Sequence, residues 1–166
     1  MAIFLWLLKN TLERQGSLKS VFSNAYGGGY REALTSLTCE VMESDPRPLW
    51  ASPRLPRQHP ARYLMTSPAT GSAAKRLCLF MRWMVRRDKL DPGYWHGELP
   101  ESRLIVPLDT HVAKVGRAFG MTARKSADWK TAVEITNSLA HFYPNDPLCC
   151  DFTLFRYGMN RIGIDK

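Results

Sequence analysis

Two residues of this chain carry groups that can take part in chemistry: a lysine, Lys75, and an aspartate, Asp109. Lys75 ends a hairpin-like run that contains proline and glycine, SPATGSAAKR, and begins a strongly basic helical pattern. An uncharged lysine amine is a nucleophile. Asp109, in the run PLDTH, stands where it can cap the next helix, and its carboxylate can stabilise a developing positive charge. The two residue types suit attack by an amine on a carbon that becomes positively charged.

Each of the two residues also has an ordinary alternative role. Lys75 can simply bind a phosphate group, and Asp109 can simply cap its helix, because aspartate is a favoured N-cap residue. His111 is expected to pack or to hydrogen-bond beside Asp109. The sequence alone leaves these alternatives open.

The helical segment after the hairpin has two chemically different faces. At about 100° per residue, one broad arc is apolar and suits the core; it holds Leu77, Cys78, Phe80, Met81, Met84 and Val85. On the opposite face we expect a cationic stripe, whose three members lie within about 40° of one another around the helix axis. They are Lys75, Arg82 and Arg86, and Arg76, Trp83 and Arg87 lie alongside. Such a stripe binds nucleic-acid phosphates and releases counterions, whereas the alternative is a solvated surface.

The length and composition predict a single globular domain that spans residues 1–166. Hydrophobic residues make up 45% of the chain, as in a folded globular protein. The formal net charge of +8 favours a polyanionic partner. The short apolar stretch from Ala2 to Leu8 cannot span a bilayer and lacks the features of a signal peptide. The chain opens inside a hydrophobic helix, so we expect a preceding segment to be missing. We expect no membrane association.

The cysteines and histidines predict neither disulfides nor a metal site. Cys149 and Cys150 are adjacent, Cys78 falls within a helical pattern, and no CxxC motif is present. The four histidines have no metal-ligand spacing with the cysteines. We expect a cytoplasmic protein with reduced thiols and without a metal or other cofactor.

The chain predicts an all-α fold, because no stretch alternates like a strand for long. The hairpin is expected at about residues 66–75, a proline-rich loop from Asp45 to Pro60, and a loop or insertion at about residues 88–104. Ser126 is the expected N-cap of its helix. Helices are expected from Ala2 to Arg14, Arg31 to Glu43, Ala61 to Met65, Ser72 to Arg87, Thr110 to Phe119, Ala127 to Phe142 and Pro147 to Asn160.

Six motifs together resemble an uncharacterised bacterial protein family related to the helix-hairpin-helix DNA glycosylases. They are SPATGSAAKR, RWMVRRD, YWHGELP, LIVPLDTHVAKVGRAFGM, TARKSADWKTAVEIT and DPLCCDFTLFRYGM. The run GSAAK is similar to the G-x-G-x-K hairpin of endonuclease III and the 8-oxoguanine glycosylases, and PLDTH to their V-D-T-H motif. The resemblance implies a helix-hairpin-helix fold, with Lys75 as the Schiff-base lysine and Asp109 as the conserved aspartate. It also implies a segment that precedes this chain in other family members.

Three features depart from the glycosylase pattern. Ala73 replaces the second hairpin glycine, which changes how closely the backbone can approach a phosphate. Lys75 and Asp109 lie 34 positions apart, farther than in those enzymes, and the excess falls in the insertion. No cysteine follows Cys150, so we expect no iron–sulfur cluster of the endonuclease III type.

The predicted function is base excision on duplex DNA that carries a damaged or abasic site, by a glycosylase, an abasic-site lyase, or both. The residues expected to bind the nucleic acid are Gly71, Ser72, Lys75, Arg76, Arg82 and Arg86. Three aromatic residues, Trp83, Tyr94 and Trp95, are candidates for stacking on a base. The alternatives are a non-catalytic nucleic-acid-binding module and a fragment that needs its preceding segment.

Overall fold

The computed structural model describes residues 1–47 and 49–162, and its secondary structure in those ranges is helical. These ranges hold eight α-helices and isolated β-bridges, with no strand, so the all-α prediction is confirmed. The chain divides into two compact units, Met1–Thr70 and Gly71–Lys166. A single folding domain stays a prediction, because the division describes compactness and not independent folding. None of the described helices is long and apolar enough to cross a membrane.

The N-terminal unit is built around one central helix, α3, which packs against α1 and α2. The predicted first helix is confirmed, and Gly16 ends it with a left-handed φ of 76°. The second helix was not predicted; Ser17 caps it by accepting a hydrogen bond from the Ser20 amide at 3.0 Å. The α-helices of this unit are α1 (Ala2–Gln15), α2 (Leu18–Ala25), α3 (Tyr30–Met42) and α4 (Ala61–Leu64). Its core holds Leu7, Val21, Phe22, Ala33, Leu34, Leu37 and Val41.

The C-terminal unit contains the residues for which chemistry was predicted. Its α-helices are α5 (Lys75–Val85), α6 (Thr110–Ala118), α7 (Trp129–Ala140) and α8 (Asp151–Ile162). The insertion between α5 and α6 consists of turns and one short 3-10 helix, Glu101–Arg103. Helix α6 packs against both α7 and α8. The core joins α6, α7 and the segment before α6 through Ala73, Val106, Leu108, Val112, Ala113, Ala132, Ile135 and Leu139.

Three helices of this unit begin later than expected: α5 begins at Lys75 instead of Ser72, and α7 and α8 begin later because an aspartate organises the turn before each of them. Asp128, not Ser126, is the N-cap of α7, and its Oδ1 accepts the Thr131 amide at 2.9 Å. Ser126 instead donates its hydroxyl proton to Asp128 Oδ2 at 2.8 Å. Helix α8 begins at Asp151 rather than Pro147, because Asp146 accepts the Leu148 amide and turns the chain.

We expect Asp128→Ala to lower the free energy of unfolding by about 1 kcal/mol at neutral pH, since the helix loses its cap. Hydrogen bonds from Arg124, the Thr131 amide and Ser126 hold the pKa of Asp128 well below its usual range. A carboxyl group with a lowered pKa in the folded protein stabilises above its unfolded pKa, and this stabilisation is lost as the pH falls through the folded value. Urea unfolding at neutral and acidic pH measures the difference.

The control is Asp128→Asn, because asparagine also caps helices but carries no charge. It is expected to lose less stability than Asp128→Ala at neutral pH. Equal losses in the two variants would show that the cap hydrogen bond contributes nothing.

Candidate functional site

The hairpin residues present Lys75 as the first residue of α5. The Gly71 carbonyl accepts the Trp129 amide at 2.9 Å, and Ser72 forms a β-bridge with Asp128, so this segment is tied to the start of α7. Gly71 has a φ of 86°, and Ala74, the N-cap of α5, is left-handed at φ 46° and ψ 40°. That conformation costs an alanine about 1–2 kcal/mol. The strained residue is therefore Ala74 and not Ala73, which replaces the hairpin glycine.

Asp109 has two structural contacts, one from each carboxylate oxygen. Its Oδ1 accepts the Val112 amide at 2.8 Å, so Asp109 is the N-cap of α6, as predicted. Its Oδ2 accepts a hydrogen bond from Lys75 Nζ at 3.1 Å. The Lys75 amine is half exposed, whereas the carboxylate is largely buried. The starts of α5 and α6 thus bring together two groups that lie 34 positions apart in the chain.

Both groups open onto one pocket of about 200 Å³. Apolar side chains form most of its wall, and the polar groups are the Lys75–Asp109 pair and a second pair, Arg82 and Asp151. The aromatic wall comes from the first turns of α8, which the sequence analysis had not assigned to the site. The lining residues are Lys75, Leu79, Arg82, Pro107, Asp109, Val112, Asp151, Phe152 and Phe155. A small, mostly apolar pocket that is lined by an amine and a carboxylate has room for a single sugar or base.

The prediction of an exposed cationic stripe is wrong for two of its three members. Arg82 is 7% exposed and Arg86 is 6% exposed. Arg82 donates to Asp91 at 2.9 Å through Nε and to both oxygens of Asp151 at 2.5 and 2.7 Å through Nη1. These contacts occupy the Nε and Nη1 donors of the guanidinium group. Arg82 and Arg86 therefore belong to the interior of the unit.

Arg86 joins the same group of ion pairs. It donates to Asp146 from Nε and Nη2, the latter at 2.9 Å, and also contacts Asp91 and Asp88. Burial lowers the pKa of Arg86, but the hydrogen bonds and charge of Asp146, with Asp88 and Asp91, outweigh it and leave that pKa raised. We call this group the buried ion-pair network: Arg82, Arg86, Asp91 and Asp151 form its buried centre, and the more exposed Asp88 and Asp146 lie at its edge. It connects α5, the turn after it and the start of α8.

The remaining predicted contact residues differ in exposure. Trp83 and Tyr94 are exposed, whereas Trp95 is partly buried and packs edge-on against Phe80, with ring centroids 5.5 Å apart. His111 packs edge-on against Phe155 at 5.7 Å, in agreement with the packing alternative. Gly71, Lys75 and Arg76 are exposed, and Ser72 is half-buried. Over residues 1–47 and 49–162, no three or more His, Cys, Asp and Glu residues form a group that could hold a metal ion.

A glycine on α8 allows α8 to lie close to α6 and so shapes the pocket. A Cβ atom at Gly158 would lie 3.0 Å from Val115 Cγ2 and 3.1 Å from the His111 carbonyl oxygen. We expect Gly158→Ala to lower the free energy of unfolding by about 1–3 kcal/mol, because the added methyl group overpacks this contact. Thermal or urea unfolding measures the loss. The control is Gly27→Ala, where a Cβ would meet no atom within 4 Å; equal losses would mean that the helix contact is not tight.

Comparison with protein-family models finds a match. A family model described as "Protein of unknown function (DUF2400)" covers residues 1–160. No curated protein and no solved structure matches the chain.

Proposed function

The chain belongs to this DUF2400 family of unknown function, and we propose that it acts as a DNA base-excision enzyme through a lysine imine. The nucleophile is the Lys75 amine, and its target is the anomeric carbon of the deoxyribose at a damaged or abasic nucleotide. One observation carries the proposal: Lys75 Nζ lies 3.1 Å from Asp109 Oδ2 at a pocket that both residues line. This proximity supports a reaction in which the amine and the carboxylate act on one carbon.

The chemistry balances with these two groups alone. At an abasic site the Lys75 ammonium passes one proton to Asp109, and the free amine adds to the sugar aldehyde and forms a C–N bond. The former carbonyl oxygen takes one proton from the nitrogen and one from Asp109 and leaves as water, so that an iminium ion and the Asp109 carboxylate remain. Asp109 then accepts a proton from the adjacent sugar carbon, and the 3′ phosphate oxygen leaves with the electrons of its C–O bond. At a damaged nucleotide the amine displaces the base, which leaves with the electrons of the glycosidic bond. Asp109 accepts the proton of the attacking amine or stabilises positive charge on the sugar.

The surroundings of the pair fit a DNA partner. Gly71 and Lys75 are exposed at the end of the hairpin, and the chain carries a formal net charge of +8. The order of α4, the hairpin and α5 along the chain agrees with a helix-hairpin-helix arrangement. We include that fold, related to the DNA glycosylases, in the proposal.

One observation favours a second function, a non-catalytic nucleic-acid-binding module. Asp109 already has a structural task as the cap of α6, and its other oxygen is ion-paired with Lys75. A pair that only fastens α5 to α6 has the same geometry.

Borohydride trapping separates the two functions. The reagent reduces an imine between protein and DNA to a stable secondary amine, which survives denaturing electrophoresis. With a duplex that contains one abasic site, the enzyme predicts a covalent protein–DNA band, whereas the binding module predicts none. Absence of the band with wild-type protein that binds the duplex would overturn the enzymatic proposal.

A further inference from the structure

An exposed aromatic turn follows the C-terminal end of α5. We define the aromatic turn as Trp83 together with residues 87–94. Its apolar side chains point away from the core: Trp83 is 44% exposed, Leu90 63% and Tyr94 77%. Single exposed apolar residues need no explanation, but a cluster of large ones within one turn marks an interaction surface.

Backbone hydrogen bonds hold the aromatic turn in place. The Gly93 amide donates to the Trp83 carbonyl at 3.0 Å, which brings Tyr94 beside the end of α5. Asp88 Oδ1 accepts the amides of Leu90 and Asp91 at 2.7 and 2.8 Å. Gly93 has a φ of 64°, and a Cβ there would lie 2.6 Å from Arg87 Cβ, so the turn requires glycine at this position. The aromatic side chains are thus presented on a fixed backbone.

The charges of the aromatic turn suit an anionic partner. Its two acidic residues are used internally: Asp91 is buried against Arg82 and Arg86, and Asp88 is ion-paired with Arg86 at 3.1 Å. Arg87 and Lys89 are exposed on the same turn. Exposed aromatic rings next to exposed cations are the combination that binds single-stranded nucleic acid, through base stacking and phosphate contacts.

We propose that the aromatic turn stacks on unpaired nucleotides that flank the reacting nucleotide. This placement rests on the proposed function, because it is measured from Lys75. Trp83 lies eight residues after Lys75 on α5, about 12 Å along the helix axis and about 80° around it. That distance equals roughly three to four base steps of one strand. Bases in a duplex are stacked on one another, so only unpaired bases offer a free face to Trp83 and Tyr94.

The test is a binding measurement on DNA that carries a reduced abasic-site analogue, which has no aldehyde and forms no imine. Fluorescence anisotropy compares a fully paired duplex with duplexes that have mismatched bubbles three to four steps from the analogue, on either side. We expect at least about five-fold tighter binding to one of the bubbles. Trp83→Ala and Tyr94→Ala are each expected to remove most of that gain.

Leu90→Ala is the matched control, because Leu90 belongs to the same aromatic turn, its exposed fraction lies between those of Trp83 and Tyr94, and it has no ring to stack. It is expected to keep the bubble preference. Equal affinity for paired and bubbled DNA, or an equal loss in the Leu90 variant, would overturn the proposal. Trapping by wild-type protein on an abasic duplex is measured in parallel. If the protein is trapped but shows no preference for bubbled DNA, the stacking proposal fails and the enzymatic proposal stands. If the protein prefers bubbled DNA, the preference depends on the aromatic rings and no trapping occurs, the enzymatic proposal fails and the stacking surface is supported.

Discussion

Replacement of Lys75 by alanine is expected to abolish the covalent protein–DNA band in borohydride trapping on an abasic-site duplex. The variant has no primary amine at the pocket, so no imine can form there for the reagent to reduce. The side chain is half exposed and its removal leaves no cavity, so folding is expected to be retained. Denaturing electrophoresis measures the adduct, and circular dichroism checks the fold.

Lys75→Arg is the sharper variant, because arginine keeps the positive charge and the ion pair with Asp109 but cannot act as the nucleophile. If Lys75 forms the imine, the arginine variant binds DNA and gives no adduct. If Lys75 only binds a phosphate, wild-type protein gives no adduct and both variants change affinity alone. An adduct that persists in Lys75→Arg would assign the nucleophile to another amine.

Asp109→Asn separates the cap from the chemistry. Asparagine can still accept the Val112 amide, so α6 keeps its cap. The carboxylate charge is lost, and we expect adduct formation to slow by roughly 100-fold with DNA binding retained. An unchanged rate would confine Asp109 to its structural role.

The sequence predicts the helices whose ends carry local signals. Asp109 caps α6 and Gly16 ends α1, and both are recognisable from residue type and position alone. The pairing of Lys75 with Asp109 was inferred from resemblance and not from geometry. Both stand at helix starts, and the structure brings those starts together.

Other features depend on contacts that local patterns do not contain. Helix α2 is an exception, because its signal is local: the N-cap Ser17 precedes an apolar i, i+3, i+4, i+7 repeat of Leu18, Val21, Phe22 and Ala25, so the sequence does contain this helix. The projection of α5 placed Arg82 and Arg86 correctly on one face but could not show what covers that face. Their partners Asp146 and Asp151 lie 60 and 69 positions away. Because these partners are distant in the sequence, the local pattern predicts an exposed phosphate-binding surface, whereas the ion pairs place Arg82 and Arg86 in the interior.

Arg82→Ala is expected to lower the free energy of unfolding by about 3–5 kcal/mol, because it leaves buried carboxylates without their partner. Asp91 is 1% exposed and Asp151 is 5% exposed, and Arg82 contacts both. Urea unfolding at neutral pH measures the loss. Arg87→Ala is the matched control: Arg87 is exposed on the neighbouring turn, and its replacement is expected to change stability by no more than about 0.5 kcal/mol.

The pH dependence of the stability loss in Arg82→Ala shows whether the loss comes from unpaired charge or from packing. Burial raises the pKa of Asp151 even though Arg82 opposes the shift, so removal of Arg82 raises it further. A carboxyl group whose folded pKa is raised stabilises the folded protein below its unfolded pKa, and this contribution is lost as the pH rises through the folded value. The free energy of unfolding that Arg82→Ala loses relative to the wild-type protein is therefore expected to be largest at neutral pH. This deficit is expected to shrink as the pH falls and Asp151 is protonated. A deficit that stays constant with pH would assign the loss to packing, and a deficit no larger than that of Arg87→Ala would contradict a stabilising role for the buried ion-pair network.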